Sequence, residues 1–278
     1  MLSNYATIRT VRSGTPSSIS GDTAAQTRTG IASFTTQKGG IEMANYTAET
    51  SPLIYARVAG LLYLVIIVCA GFSEGYIRSN LIIPGDASAT ANNIVTSQWL
   101  FRVGIVGDLI AFLSDLVVSV LFYLLLKPVN KTLALVAATL RLVAHPAIAS
   151  VNLLNLYIAL QLSNGANYLT VFDTEQLHAL VMVFLNAHTY GYLIAGAFFG
   201  LHCFILGYLF FKSELFPRFL GVFLAVASFG YLIDSFGNFL FPEYAAIFTW
   251  IVAVPAVVAE LSLCLWLLIK GVQFQRAQ

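Results

Sequence analysis

Six stretches of this chain are apolar over about 20 residues or more, the length at which a helix spans the hydrocarbon core of a bilayer. They fall at about residues 54–73, 100–126, 132–162, 177–211, 219–241 and 245–269. Runs of that length read as transmembrane helices, because lipid offers no water to satisfy an open backbone. The expected fold is all-α: a polytopic transmembrane helical bundle of six spans. The first run has room to extend towards Ile83. After it, Pro84 and Gly85 break the chain, Asp86 or Ser88 can cap a helix, and residues 89–98 read as a short interfacial helix. Pro128 ends the second span, since proline cannot continue the hydrogen-bond ladder.

The third and fourth runs are too long for a simple crossing. Thirty residues of helix reach about 45 Å, against a core of about 30 Å, so these segments must tilt, kink or protrude. Pro146 and Pro255 are the expected kinks in the third and sixth spans. The polar patch NAHTYG at 186–191 is expected to mark the exit of the fourth span from lipid.

Composition excludes the soluble alternative: 58% of residues are hydrophobic and only 10% charged. A net charge of +1 gives no basic surface for nucleic acid, so the expected partner is the lipid bilayer. Cys69, Cys203 and Cys264 are odd in number and lie in apolar runs, which argues against a disulfide framework and for packing roles. Residues 1–52 are rich in Ser, Thr and Gly, lack periodicity and are expected to be disordered. They hold no secretory h-region. Their Arg-rich, acid-poor composition faintly suggests an organelle transit peptide; the simpler reading takes Met43 as the natural start. Residues 53–271 form the expected membrane domain, followed by a short tail, 272–278.

Orientation follows from the basic residues. One side carries Arg57, Lys127, Lys131, Lys212, Arg218, Lys270 and Arg276. The other carries Arg78, with Arg102 near its border, among the acidic loop residues Glu74, Asp86, Asp173, Glu175 and Glu243. By the positive-inside rule both termini are expected in the cytoplasm, in a cell membrane of bacterial inner-membrane type.

Ions inside lipid are expensive and mark structural pairs or functional sites. Counting about 1.5 Å per residue from the basic helix ends places Asp115 about 18 Å deep, and Arg141, His202 and Glu260 about 15 Å deep. Four helices thus contribute to one mid-membrane polar layer, with His145 one turn further out. Asp108 and Asp234 lie nearer the opposite boundary, at about 24–29 Å. Asp108 and Asp115 share a helix face, as do Arg141 and His145, and an Asp115–Arg141 pair is the natural expectation. Asp108, Asp115, Arg141, His145, His202, Asp234 and Glu260 are therefore the candidates for ligand binding or proton relay. Satisfied pairs that only fix helix register are the competing reading.

The four histidines, His145, His178, His188 and His202, lack HExxH or HxxxH spacing, with His178 and His188 assigned to the rim and His202 deep. No metal site and no cofactor is expected. There is no GxSxG and no cysteine beside a base. Gly196 and Gly200 form a GxxxG that lets a neighbouring helix approach. Asn152 and Asn155 either extend the polar path or hydrogen-bond across helices.

Five segments carry a family resemblance: ARVAGLLYL (56–64), GDASATANNI (85–94), LFRVGIVGDLI (100–110), FYLLLKPVNKTLALVAATLRLV (122–143) and GYLFFKSELFPRFLGVFLAVASFGYLIDSF (207–236). In them the chain resembles the bacterial integral-membrane family catalogued as domain of unknown function 4386. The resemblance implies a polytopic helical membrane protein and carries no activity with it. Three functions stay open: binding or moving a small polar ligand or protons, an intramembrane enzyme, and a structural or stress-related membrane protein. A water-accessible cavity at the polar layer, against dry ion pairs, separates them.

Overall fold

The computed structural model describes residues 51–272. The expectations for residues 1–50 of the N-terminal extension and for all but the first residue of the C-terminal tail lie outside them; Ser51 and Pro52, counted with the extension, cap and open the first helix. Among the described residues there is no strand, and six helices are long and apolar enough to cross a membrane.

Helix α1 spans Pro52–Leu81, with Ser51 as its cap and proline in its first turn, where the missing N–H costs nothing. The short α2, Ala87–Thr96, is capped by Asp86, which accepts from Ala89 N. Helix α3 is Gln98–Leu126 and α4 is Lys131–Ser163, capped by Asn130. Helix α5, Thr174–Lys212, opens with a reciprocal Asp173/Gln176 capping box. Helices α6, Arg218–Leu240, and α7, Ala245–Ile269, complete the bundle. Six crossings return the chain to its starting side. We call that side the termini end and the other the distal end.

Consecutive spans are neighbours, and α7 closes back on α1. Leu113, Val151, Leu154, Val226, Val254 and Leu265 are among the many large apolar side chains left exposed on the outside, as a lipid-facing surface requires.

Three local expectations are corrected. The 186–191 patch is not a helix end: α5 runs through it to Thr174, and His188, assigned to the rim, is buried. Glu74, counted as a loop charge, is a helical residue of α1, as is Arg78. Pro255 sits within uninterrupted α-helix. Pro146 instead lies in a π-helical segment, Val143–Ala149, whose wider turn accommodates a residue with no N–H to donate. A second π-helical segment, Gly71–Arg78, lies in the distal half of α1.

The interior has two apolar clusters of different extent. In the termini half all six spans contribute, including Tyr63, Phe122, Leu206, Phe210, Leu224 and Leu263, and the packing is continuous. In the distal half the cluster joins only α1–α5, through Ile77, Ile94, Phe101, Leu156 and Leu185. The distal halves of α6 and α7 are not part of it. Backbones approach closely in the termini half: a Cβ on Gly207 would lie 2.7 Å from Gly221 O, and α1 meets α7 at Gly60 and Leu267. Gly207→Val should therefore push α5 from α6 and destabilise the protein by about 1–3 kcal/mol. The midpoint of thermal unfolding in detergent checks this, with Gly75→Val, which meets nothing within 4 Å, as the comparison.

Candidate functional site

The two carboxylates of α3 each anchor a π-helical segment of a neighbour. Asp115 is reached from α4. Its Oδ1 accepts from Arg141 Nε at 2.9 Å and from Arg141 Nη2, and its Oδ2 faces His145 Nδ1 at 2.7 Å. Arg141 spends a third donor on His202 Nε2 of α5, at 3.2 Å. The other ring nitrogen of His202 donates to Ala137 O at 2.8 Å, so both its nitrogens are committed. The guanidinium also lies over the rings of Tyr63 and Phe199, at 5.1 and 5.2 Å. Arg141 and Asp115 are each 1% exposed. A buried ion pair survives only with its remaining hydrogen-bonding capacity met, and these contacts meet it.

Asp108, two turns towards the distal end, pairs with Arg78 of α1. Arg78 Nη1 donates to Oδ2 at 2.6 Å and Nη2 to Oδ1 at 3.4 Å, while Nε donates to Glu74 at 2.5 Å. Ser73, on the same π-helical segment, donates to Gly104 O of α3. The wider turn thus places Ser73, Glu74 and Arg78 where they can join α1 to α3. Functional sites often hold such segments.

Between the distal cluster and α6–α7 lies a cavity of about 520 Å³. Helix α1 lines it with Glu74 and Arg78, α5 with His188, Thr189, Tyr192 and Phe199, α6 with Tyr231, Asp234 and Asn238, and α7 with Thr249. His145 of α4 is also in its wall. With Nδ1 held by Asp115, the Nε2 edge of His145 makes no hydrogen bond among the described residues. The ring is packed by Phe112 at 5.9 Å and Phe199 at 4.6 Å between centroids.

The seven candidate residues therefore divide. Asp115, Arg141 and His202 form a dry, fully paired plug. His145 connects that plug to the cavity. Asp234 lies on the cavity wall, its carboxylate accepting from Asn238 at 2.9 Å. Glu260 does not join Arg141 by a hydrogen bond; it accepts from Tyr231, at 2.5 Å. Asp108 sits behind Arg78 and does not line the cavity. Among the described residues, no three His, Cys, Asp or Glu converge as metal ligands would.

Sequence reasoning missed Arg78, Tyr231 and His188. His188 is cross-braced to α4: Asn152 Nδ2 donates to His188 O at 2.7 Å, and His188 Nδ1 faces Asn152 O at 3.3 Å. Asn155 supports this by donating to Asn152 Oδ1. The signal available in the sequence was the helical Glu74–Arg78 spacing beyond the first apolar run, where the helix was allowed to extend towards Ile83.

A family model described as a domain of unknown function (DUF4386) matches residues 58–271. The chain is also 30% identical to an uncharacterized protein of Archaeoglobus fulgidus over 170 residues, 60% of this chain and 83% of that protein. No solved structure matches it.

Proposed function

The chain belongs to the DUF4386 family of proteins, and we propose that within that frame it binds a small ligand, part polar and part apolar, in the distal cavity. The observation that supports this is the asymmetry of the bundle. All six spans seal the termini half, whereas the distal half leaves about 520 Å³ between α6–α7 and the rest. Pre-formed concave sites of that size with a few convergent polar groups are the usual form of small-molecule sites. Of the nine described Lys and Arg residues, six (Arg57, Lys127, Lys131, Lys212, Arg218 and Lys270) sit at the termini end, against Arg78 and Arg102 towards the distal end. On that ground we place both termini in the cytoplasm of a cell, with the cavity on the outer half of the cell membrane.

A screen of small polar and amphipathic compounds by thermal shift tests this. A compound that binds the native state raises the unfolding midpoint as its concentration rises. The same compound should lose its effect on Thr249→Trp, which fills the cavity from the α7 wall. Compounds that stabilise Thr249→Trp as well as the parent would place their site elsewhere.

A second reading, an intramembrane enzyme, is favoured by one feature. A carboxylate that fixes an imidazole through Nδ1 leaves Nε2 free to take a proton from a bound substrate. His145→Gln keeps a polar side chain but removes that base. It should leave ligand binding within a few-fold if the site only binds, and abolish turnover if it is catalytic.

A further inference from the structure

Many hydrogen-bond donors of the cavity wall are spent inside the protein, although Arg78 uses three of its five N–H groups and the Tyr192 hydroxyl makes no hydrogen bond among the described residues. Tyr231 gives its hydroxyl proton to Glu260. Thr189 and Thr249 give theirs to Leu185 O and Ala245 O of their own helices. Asn238 uses both amide hydrogens on Asp234, one on the backbone oxygen and one on the carboxylate. The imidazoles follow the same rule. A carbonyl or carboxylate can only accept, so the partners of Nδ1 in His188 and His145 put the ring proton on Nδ1. In the neutral ring that leaves Nε2 as a lone-pair acceptor. In His188, which is 5% exposed, Nε2 is buried with no partner at all. Because Nδ1 is tied to α4, the orphaned edge points away from that helix.

Charge points the same way. Arg78 is the cation of the wall, and it is bonded to both Glu74 and Asp108, so the trio carries a net negative charge. Asp234 has only the neutral Asn238 as a hydrogen-bond partner. The apolar part of the wall sets three rings, Tyr192, Phe199 and Tyr231, among aliphatic side chains such as Leu156, Leu185 and Val252. Rings of this kind attract a cation over their faces.

We propose that the cavity is a site for a protonated amine carrying an apolar or aromatic body. The ammonium N–H groups would meet Asp234 and the Nε2 edge of His145, and the body would rest on the rings of Tyr192, Phe199 and Tyr231. This inference rests on the cavity being a ligand site, and the test separates the two.

The probes are 2-phenylethylamine, 2-phenylethanol and 3-phenylpropionate, three compounds of similar size that differ in charge, titrated calorimetrically into the full chain in a neutral detergent. The amine should bind about tenfold or more tightly than the alcohol, and the carboxylate more weakly than either. Asp234→Asn should weaken the amine about tenfold and leave the alcohol unchanged. Glu74→Gln, at a side chain 72% exposed, should weaken the amine by less and gives a second readout should Asp234→Asn fail to fold. Equal affinity for amine and alcohol, or a preference for the carboxylate, would overturn the amine assignment while leaving the cavity a ligand site. Failure of all three to bind would overturn both.

Discussion

Arg141→Met should destabilise the protein by about 3–5 kcal/mol, the cost of leaving a buried carboxylate without its counter-ion. Asp115 has no water to turn to at 1% exposure, and its other partner, His145, donates a single hydrogen bond. The damage should extend to His202, whose Nε2 loses its donor. The companion variant is Asp115→Leu/Arg141→Met, which removes both charges. Apolar replacements of a buried pair are often neutral, so the double variant should recover most of the stability lost by the single one. Unfolding midpoints in detergent of the parent, the single and the double variant would show this. A double variant no more stable than Arg141→Met would mean that the pair contributes by shape and not by charge neutralisation.

The second large effect is asymmetric. Arg78→Met should cost about 3 kcal/mol or more, because it strands Asp108, a carboxylate that is itself 1% exposed. Asp108→Asn should cost nearer 1 kcal/mol, because Arg78 keeps Glu74 as its counter-ion and Asn still offers an oxygen to accept from it. Paired unfolding measurements on the two variants test the ordering. Equal losses would show that Asp108 has access to solvent. The result bears on function as well as stability, since this ion pair pins the π-helical segment of α1 that supplies Glu74 to the cavity.

The reach of the sequence follows from what is linear along a helix. Span limits were legible because apolar length, breakers and caps act locally: Pro128 lies in the turn that closes α3, and Asp86 caps α2. The meeting of Asp115, Arg141 and His202 was legible because depth accumulates at a constant rise from basic residues that mark one face. Arg78 and His188 were not. A hydropathy window stops at the first polar residues, but α1 and α5 continue because Asp108 and Asn152, distant in sequence, satisfy those residues. The cavity was not legible either. It depends on α6 and α7 leaving the distal cluster, a relation between helices that no single helix records. Pro146 pointed to a kink, and the chain answered with a π-helical turn that sends His145 to Asp115 and to the cavity wall.

The central claim is that a cavity open to solvent from the distal end stops at a dry ionic plug. Thiol labelling tests it most directly, in a background with Cys69, Cys203 and Cys264 replaced by alanine. Thr189→Cys lies on the cavity wall and Leu209→Cys within the sealed half. A hydrophilic maleimide added to the purified protein in detergent should modify Thr189→Cys and leave Leu209→Cys unmodified until the protein is unfolded. Modification of Leu209→Cys in the folded protein, or protection of Thr189→Cys, would contradict the claim.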